Sequence, residues 1–166
     1  VFGFKDYFPR RVVLLPEILL TVWLCGILIV DFSFPRLPNE QLAYLSIAGL
    51  AATLGCLVWF DVTGVTGTLF ANMFVLDRMA LYFKMFIVGS TILVILASVD
   101  YIHRFRFFRG EYYFLIVMSA LGMMFMASAN DLLSVFVTLE FSTFGFYVLV
   151  AYLREDMASN EAGIKF

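Results

Sequence analysis

The sequence is poor in charge. Only 14% of its 166 residues are Asp, Glu, Lys or Arg, whereas 63% are hydrophobic. A soluble domain has about one quarter charged and about one half apolar residues. The composition therefore excludes an ordinary soluble domain and indicates an integral membrane protein. The net charge of −2 leaves no basic stripe, which argues against a nucleic-acid partner.

Signatures of metal and nucleotide sites are also scarce. The two cysteines, Cys25 and Cys56, each lie inside an apolar run, and the single histidine stands outside any Cys or His cluster. We interpret both cysteines as small packing residues rather than a disulfide or metal site. The sequence contains no GxGxxG, P-loop, CxxCH or nucleophile-elbow pattern. We therefore expect neither a cofactor nor a metal in this chain.

What the sequence does contain is a series of apolar runs of bilayer length. Pro16 and Glu17 suit the first turn of the first run, and the turn signals DVTGVTGT follow the second. Asn160 and Glu161 predict the start of a further helix, so we interpret the chain as an N-terminal part of a larger protein. The fold class is an all-α polytopic transmembrane bundle of five spans plus the start of a sixth. The predicted spans are 12–34, 42–60, 79–102, 112–128 and 131–153.

These spans predict two groups and an orientation. Residues 1–111 would form a three-helix transmembrane group, and residues 112–166 would begin a separate bundle. Arg104, Arg106 and Arg109 lie between the third and fourth spans, and an excess of basic residues marks the cytoplasmic or matrix side. The N-terminus is then expected on the external side, although Lys5 and its basic neighbours favour the opposite orientation.

Glu140 is the residue with the strongest functional signal. It lies in the middle of the fifth run, roughly 13 Å past Asp131 at helical rise, where a carboxylate costs at least about 2–3 kcal/mol. Thr143 and Tyr147 follow it at one and two helical turns and would line the same face. We predict that Glu140 faces protein or internal water and takes up and releases protons. The alternative is a neutral glutamic acid that only bonds a neighbouring helix.

Lys84 and Asp77 are secondary candidates. They lie seven residues apart, on one face of the third predicted span. The functional reading is a second polar site at that end of the span. The alternative, which we favour, is that Lys84 extends to the membrane interface and pairs there with Asp77.

Five segments of the chain form a specific combination of motifs: an LPE start, an ANDL turn, an LE pair, a YVLVAYLRED segment and a downstream NEA segment. They are LPEI at 15–18, LGMMFMASANDLLSVF at 121–136, LE at 139–140, YVLVAYLRED at 147–156 and NEAGIKF at 160–166. In this combination the chain resembles the antiporter-like subunit N of proton-pumping NADH:quinone oxidoreductase, respiratory complex I, which is called subunit 2 in mitochondria.

The resemblance implies a proton-translocating subunit of the membrane arm, coupled to quinone reduction. The family's fifth-helix glutamate corresponds to Glu140, and the family's lysines on later helices would lie beyond Phe166. NADH, FMN, iron–sulfur clusters and quinone would be bound by other subunits. The segment LEFSTFGFY departs from the commoner LELMSLSLY pattern, so the family's serines beside the glutamate are not carried over.

The implied partners are other membrane-arm subunits, the lipid bilayer and the remainder of the same subunit. The implied location is a bacterial inner or a mitochondrial inner membrane. Two alternatives remain open. One is a subunit of a multisubunit cation/proton antiporter or of a membrane-bound hydrogenase. The other is a non-pumping structural fragment that packs with a partner chain.

Overall fold

The computed structural model describes residues 10–33, 39–102 and 109–150. A short 3-10 helix, Arg10–Leu14, leads into the first of five α-helices. The predicted all-α transmembrane bundle is confirmed, whereas the sixth helix predicted at Asn160 lies outside the described residues. The helices are α1 (Leu15–Ser33), α2 (Asn39–Thr63), α3 (Arg78–Ile102), α4 (Arg109–Met126) and α5 (Leu132–Val150).

Four of the helices are long and apolar enough to cross a membrane, and each overlaps one of the predicted spans. The exception is α4, whose apolar part, Gly110–Met126, is shorter. Pro16 and Glu17 lie in the first turn of α1, as their preferences predict. The bundle is therefore built from the apolar runs that hydropathy identifies.

Aspartates begin two of these helices. The Ala80 amide donates to Asp77 Oδ1 at 2.7 Å at the start of α3, and the Ser134 amide donates to Asp131 Oδ1 at 3.3 Å at the start of α5. Such caps satisfy backbone amides that have no partner inside the helix. Asp77 is thus a helix cap, and the predicted pairing with Lys84 is wrong.

The hydrophobic core lies between α1, α2, α3 and α4, and α4 packs against the other three. The Trp23 indole of α1 lies over Gly49 of α2, where an added Cβ would come within 2.0 Å of the ring. Its Nε1 donates to the Leu45 carbonyl at 2.8 Å. The division into 1–111 and 112–166 stays a prediction. Within the described residues, α4 shares the core of the first three helices.

A β-hairpin between α2 and α3 was not predicted. Its antiparallel strands, β1 (Gly67–Leu69) and β2 (Phe74–Leu76), pair Gly67 with Leu76. The sequence analysis identified this segment only as a loop with turn signals. Strands of three residues are not stable by themselves, so this pairing depends on contacts with the helices.

The hairpin lies on the short turn between α4 and α5. Phe74 forms a β-bridge with Ala129, and the Val75 amide donates to the Ser128 carbonyl at 2.8 Å. From the other side, the Asn130 amide donates to the Met73 carbonyl at 3.0 Å. The hairpin thereby fixes the backbone from which α5 begins.

Candidate functional site

Glu140 lies in the middle of α5, on an exposed side of the helix. The helix is unbroken over Leu132–Val150, and Glu140 is about 12 Å from its first residue at helical rise. The buried residues of α5 are Ser142 and Gly145, on the side opposite Glu140. The carboxyl group thus points away from α4, and the prediction that it faces protein or internal water is not tested by contacts within this chain.

The packing of α5 on α4 explains this direction. The two helices are antiparallel and meet through small residues, with Gly122 against Ser142 and Gly145 against Ser119. A Cβ on Gly145 would come within 2.1 Å of Ser119 Oγ and 3.2 Å of the Leu115 carbonyl oxygen. Small residues allow membrane helices to approach closely. This contact sets the rotation of α5 and leaves Glu140 on the far side.

Thr143 and Tyr147 lie on the same open side as Glu140. Tyr147 is 42% exposed and Thr143 is half-buried. The Thr143 hydroxyl donates back into its own helix, to the Leu139 carbonyl at 3.0 Å and the Glu140 carbonyl at 3.2 Å. It can still accept a hydrogen bond from water. The predicted polar face therefore exists geometrically, and its role in proton transfer stays a prediction.

Lys84 points into the protein, so the favoured prediction that its side chain extends outward to the membrane interface is wrong. Its side chain is fully buried, and its Nζ lies 2.5 Å from Oε1 of Glu17, which is itself 1% exposed. The residues are 67 positions apart and join α1 to α3. Lys84 is the seventh residue of the apolar helix α3, and protein atoms enclose its side chain. Such burial is tolerated because a buried carboxylate matches its charge.

A phenyl ring completes the environment of this ion pair. Lys84 Nζ lies 4.8 Å from the ring centroid of Phe74 in β2, within the range of a cation–π contact. The second carboxylate oxygen of Glu17, Oε2, is buried without a hydrogen-bond partner. The sequence analysis assigned Glu17 only to a helix start. Opposite charges inside two apolar spans were the signal that could have identified the pair.

Glu17 and Glu140 thus differ in their surroundings. Lys84 bonds Glu17, so it is not the partner of Glu140. Among the residues that the structure describes, Glu17–Lys84 is the only ion pair. Lys165, the other lysine weighed as a partner of Glu140, lies outside the described residues. A partner from another chain or segment stays a prediction.

Metal chemistry has no visible site in the same region. Over the described ranges 10–33, 39–102 and 109–150, no group of three or more His, Cys, Asp or Glu side chains could hold a metal ion.

Comparison with known proteins gives a consistent set of relatives. No family model matches the chain. NADH-quinone oxidoreductase subunit N of Desulfitobacterium hafniense is 37% identical over 150 residues, covering 90% of this chain and 30% of the relative. The same subunit of Dehalococcoides mccartyi is 37% identical over 154 residues, covering 92% and 31%. The chloroplastic NAD(P)H-quinone oxidoreductase subunit 2 of Chlorokybus atmophyticus is 35% identical, covering 98% and 32%.

A solved structure shows the same fold. Respiratory complex I from Thermus thermophilus with bound aureothin matches with a TM-score of 0.72 and 23% identity, covering 90% of this chain and 31% of that one. The present chain spans about a third of the length of the curated relatives it matches. The resemblance stated from the sequence motifs is confirmed, and the chain belongs to the subunit N family of NADH-quinone oxidoreductases.

Proposed function

We propose that this chain takes part in proton translocation in the membrane arm of an NADH-quinone oxidoreductase, and that Glu140 is its proton-handling residue. The observation that carries the proposal is a carboxyl group in the middle of an unbroken apolar helix, facing away from the chain's own bundle. Intramembrane carboxylates are costly and usually functional. The names of the relatives supply the reaction class.

In this role Glu140 would alternate between neutral and charged forms. Water or a cation on the open side of α5 would stabilise the charged form, and desolvation would favour the neutral one. Thr143 and Tyr147 would line the same side and orient water toward the carboxyl. The cation would come from a segment or subunit outside this chain, because Lys84 is bonded to Glu17.

The remaining chemistry would belong to other subunits. NADH oxidation and quinone reduction would use FMN, iron–sulfur clusters and quinone bound elsewhere, with no redox centre in this chain. Other membrane-arm subunits and the rest of the same subunit would be its protein partners. The membrane would be a bacterial inner or a mitochondrial inner membrane, with the N-terminus on its external side. The arginines of the connection between α3 and α4 support that orientation.

Replacement of Glu140 by Gln in the full-length subunit, within the assembled complex, tests the proposal. Gln preserves the shape of the side chain and removes only its titrating charge. We expect NADH-driven proton pumping into membrane vesicles to fall by at least about tenfold, a change of ~1.4 kcal/mol in the barrier. Pumping is measured by the quenching of a pH-sensitive dye and compared with NADH oxidation.

A matched control is Glu111→Gln, since Glu111 is an exposed carboxyl in the first turn of α4. The control complex should pump at the wild-type rate. Wild-type pumping in Glu140→Gln would refute the role of Glu140. An equal loss in both variants would show that the effect is not specific to its position.

A further inference from the structure

The buried ion pair between α1 and α3 needs an explanation that stability alone does not supply. Removing two charges from water costs more than their attraction commonly returns, so a buried pair is weak evidence of stabilisation. Glu17 and Lys84 are nevertheless 1% and 0% exposed. The pair also has a neighbour outside α1 and α3. This neighbour is the ring of Phe74, which belongs to the hairpin and lies against Lys84.

Phe74 connects the ion pair to the start of the Glu140 helix. Its ring lies under the Lys84 ammonium, and its backbone forms the bridge to Ala129. The ring also meets Phe125 of α4 edge to face, with centroids 6.4 Å apart. A single residue therefore contacts Lys84 and α4 through its side chain and the α4–α5 turn through its backbone.

The hairpin also has a turn that depends on outside contacts. Phe70, Ala71 and Asn72 have φ values of 51°, 52° and 72°. Residues with a Cβ rarely adopt this left-handed region, and such conformations persist when surrounding contacts enforce them. On the α5 side, Asn130 Nδ2 donates to the Asn72 carbonyl at 3.0 Å. On the α3 side, Lys84 lies against Phe74, two residues after the turn.

We propose that Glu17, Lys84 and Phe74 position the Glu140 helix, by holding the hairpin against the turn between α4 and α5. Glu17 accepts a hydrogen bond from the Lys84 ammonium, which lies over the ring. The ring holds β2, and the hairpin in turn holds Ser128 through Val75 and Asn130 through Met73 by backbone hydrogen bonds. The expected effect on proton pumping rests on the proposed role of Glu140, whereas the expected hold on the hairpin and the α4–α5 turn does not.

The first measurement is hydrogen exchange of the hairpin and turn in the purified, assembled complex. Phe74→Leu removes the ring face but keeps the ion pair and an apolar side chain. We expect the Val75 and Asn130 amides to exchange about tenfold faster, the effect of losing a desolvated cation–π contact. Peptides from the middle of α2 should exchange as in the wild type. Phe86→Leu is the matched control, because Phe86 is exposed on α3.

A double variant removes both charges of the Glu17–Lys84 pair, so that neither charge is left buried without its partner. Glu17→Gln combined with Lys84→Met should give the same faster exchange as Phe74→Leu, and all three substitutions together should add little more, since they break one connection. Lys84→Arg keeps both the ion pair and a cation over the ring, so it should preserve slow exchange. Unchanged exchange in both Phe74→Leu and the charge-free variant would overturn the proposal.

The functional measurement is the number of protons moved per NADH oxidised. In assembled complexes with Phe74→Leu or with Glu17→Gln plus Lys84→Met, this ratio should fall, whereas Lys84→Arg alone should keep the wild-type ratio. A normal ratio despite fast exchange would refute positioning of Glu140. Glu140→Gln could pump normally while Phe74→Leu and the charge-free variant still show faster exchange. The proposed function of Glu140 would then be refuted, and the conclusion that the three residues hold the hairpin would remain.

Discussion

Glu17 and Glu140 both lie within candidate membrane spans but have opposite kinds of surroundings. Glu17 is buried in the bundle, and its charge is matched inside the chain by Lys84 of α3. Glu140 points away from every described helix on which α5 packs. A charge satisfied within the chain can hold structure, whereas one left on an open side can be reached by water and by other segments. We therefore expect substitutions at the Glu17–Lys84 pair to impair assembly and substitutions at Glu140 to impair proton pumping.

The largest expected effect is on assembly, from Lys84→Met alone. This change leaves Glu17 buried without its counter-ion, which typically costs ~3–5 kcal/mol. The amount of assembled complex on a native gel, and its thermal midpoint, should both drop sharply. Glu17→Gln combined with Lys84→Met should lose much less, because no charge is left alone. If the double variant assembled as poorly as the single one, the ion pair would not be the cause.

The second-largest expected effect comes from a change at the contact between α4 and α5, which directs Glu140 away from α4. Gly145→Val forces a side chain against Ser119 and the Leu115 carbonyl, and overpacking of this kind costs about 1–3 kcal/mol. We expect a lower thermal midpoint and reduced pumping per assembled complex, since α5 must shift. Gly89→Val is the matched control, because an added Cβ at Gly89 meets nothing within 4 Å. Equal losses in the two variants would show a general effect of valine in these helices.

The smallest expected effect on stability comes from Glu140→Gln. Within this chain Glu140 bonds no described cation, so the loss of its charge should change stability by under about 1 kcal/mol. The native gel and thermal midpoint of this complex should resemble the wild type even though its pumping falls. A loss of assembly as large as that of Lys84→Met would mean that Glu140 is structural, and the contrast between the two glutamates would disappear.

The spans were predictable because they depend on composition over short stretches. The apolar run from 131 to 153 contains the observed α5, and the depth of Glu140 follows from counting residues along it. The ion pair was not predictable in the same way, because Glu17 and Lys84 meet only after α1 and α3 have packed in register. The hairpin was missed since its strands are three residues long and depend on Phe74 contacts formed elsewhere.

The direction in which the Glu140 side chain points was predictable only in part. A helical wheel places Thr143 and Tyr147 beside it, but the wheel does not say which side meets α4. Gly122 and Gly145 contain that information, since helices approach most closely where side chains are small. Reading the glycines of α4 and α5 together would have predicted that the carboxyl lies opposite the contact.

The short α4 has a consequence for the membrane that surrounds the protein. Between its first and last turns, each described side chain of α4 is buried or half-buried, and α1, α2, α3 and α5 all pack around it. A helix that is largely enclosed by other helices is less constrained to match the thickness of the hydrocarbon layer. We therefore expect bilayer thickness to act mainly on the outer helices and less on α4, the helix against which α5 packs.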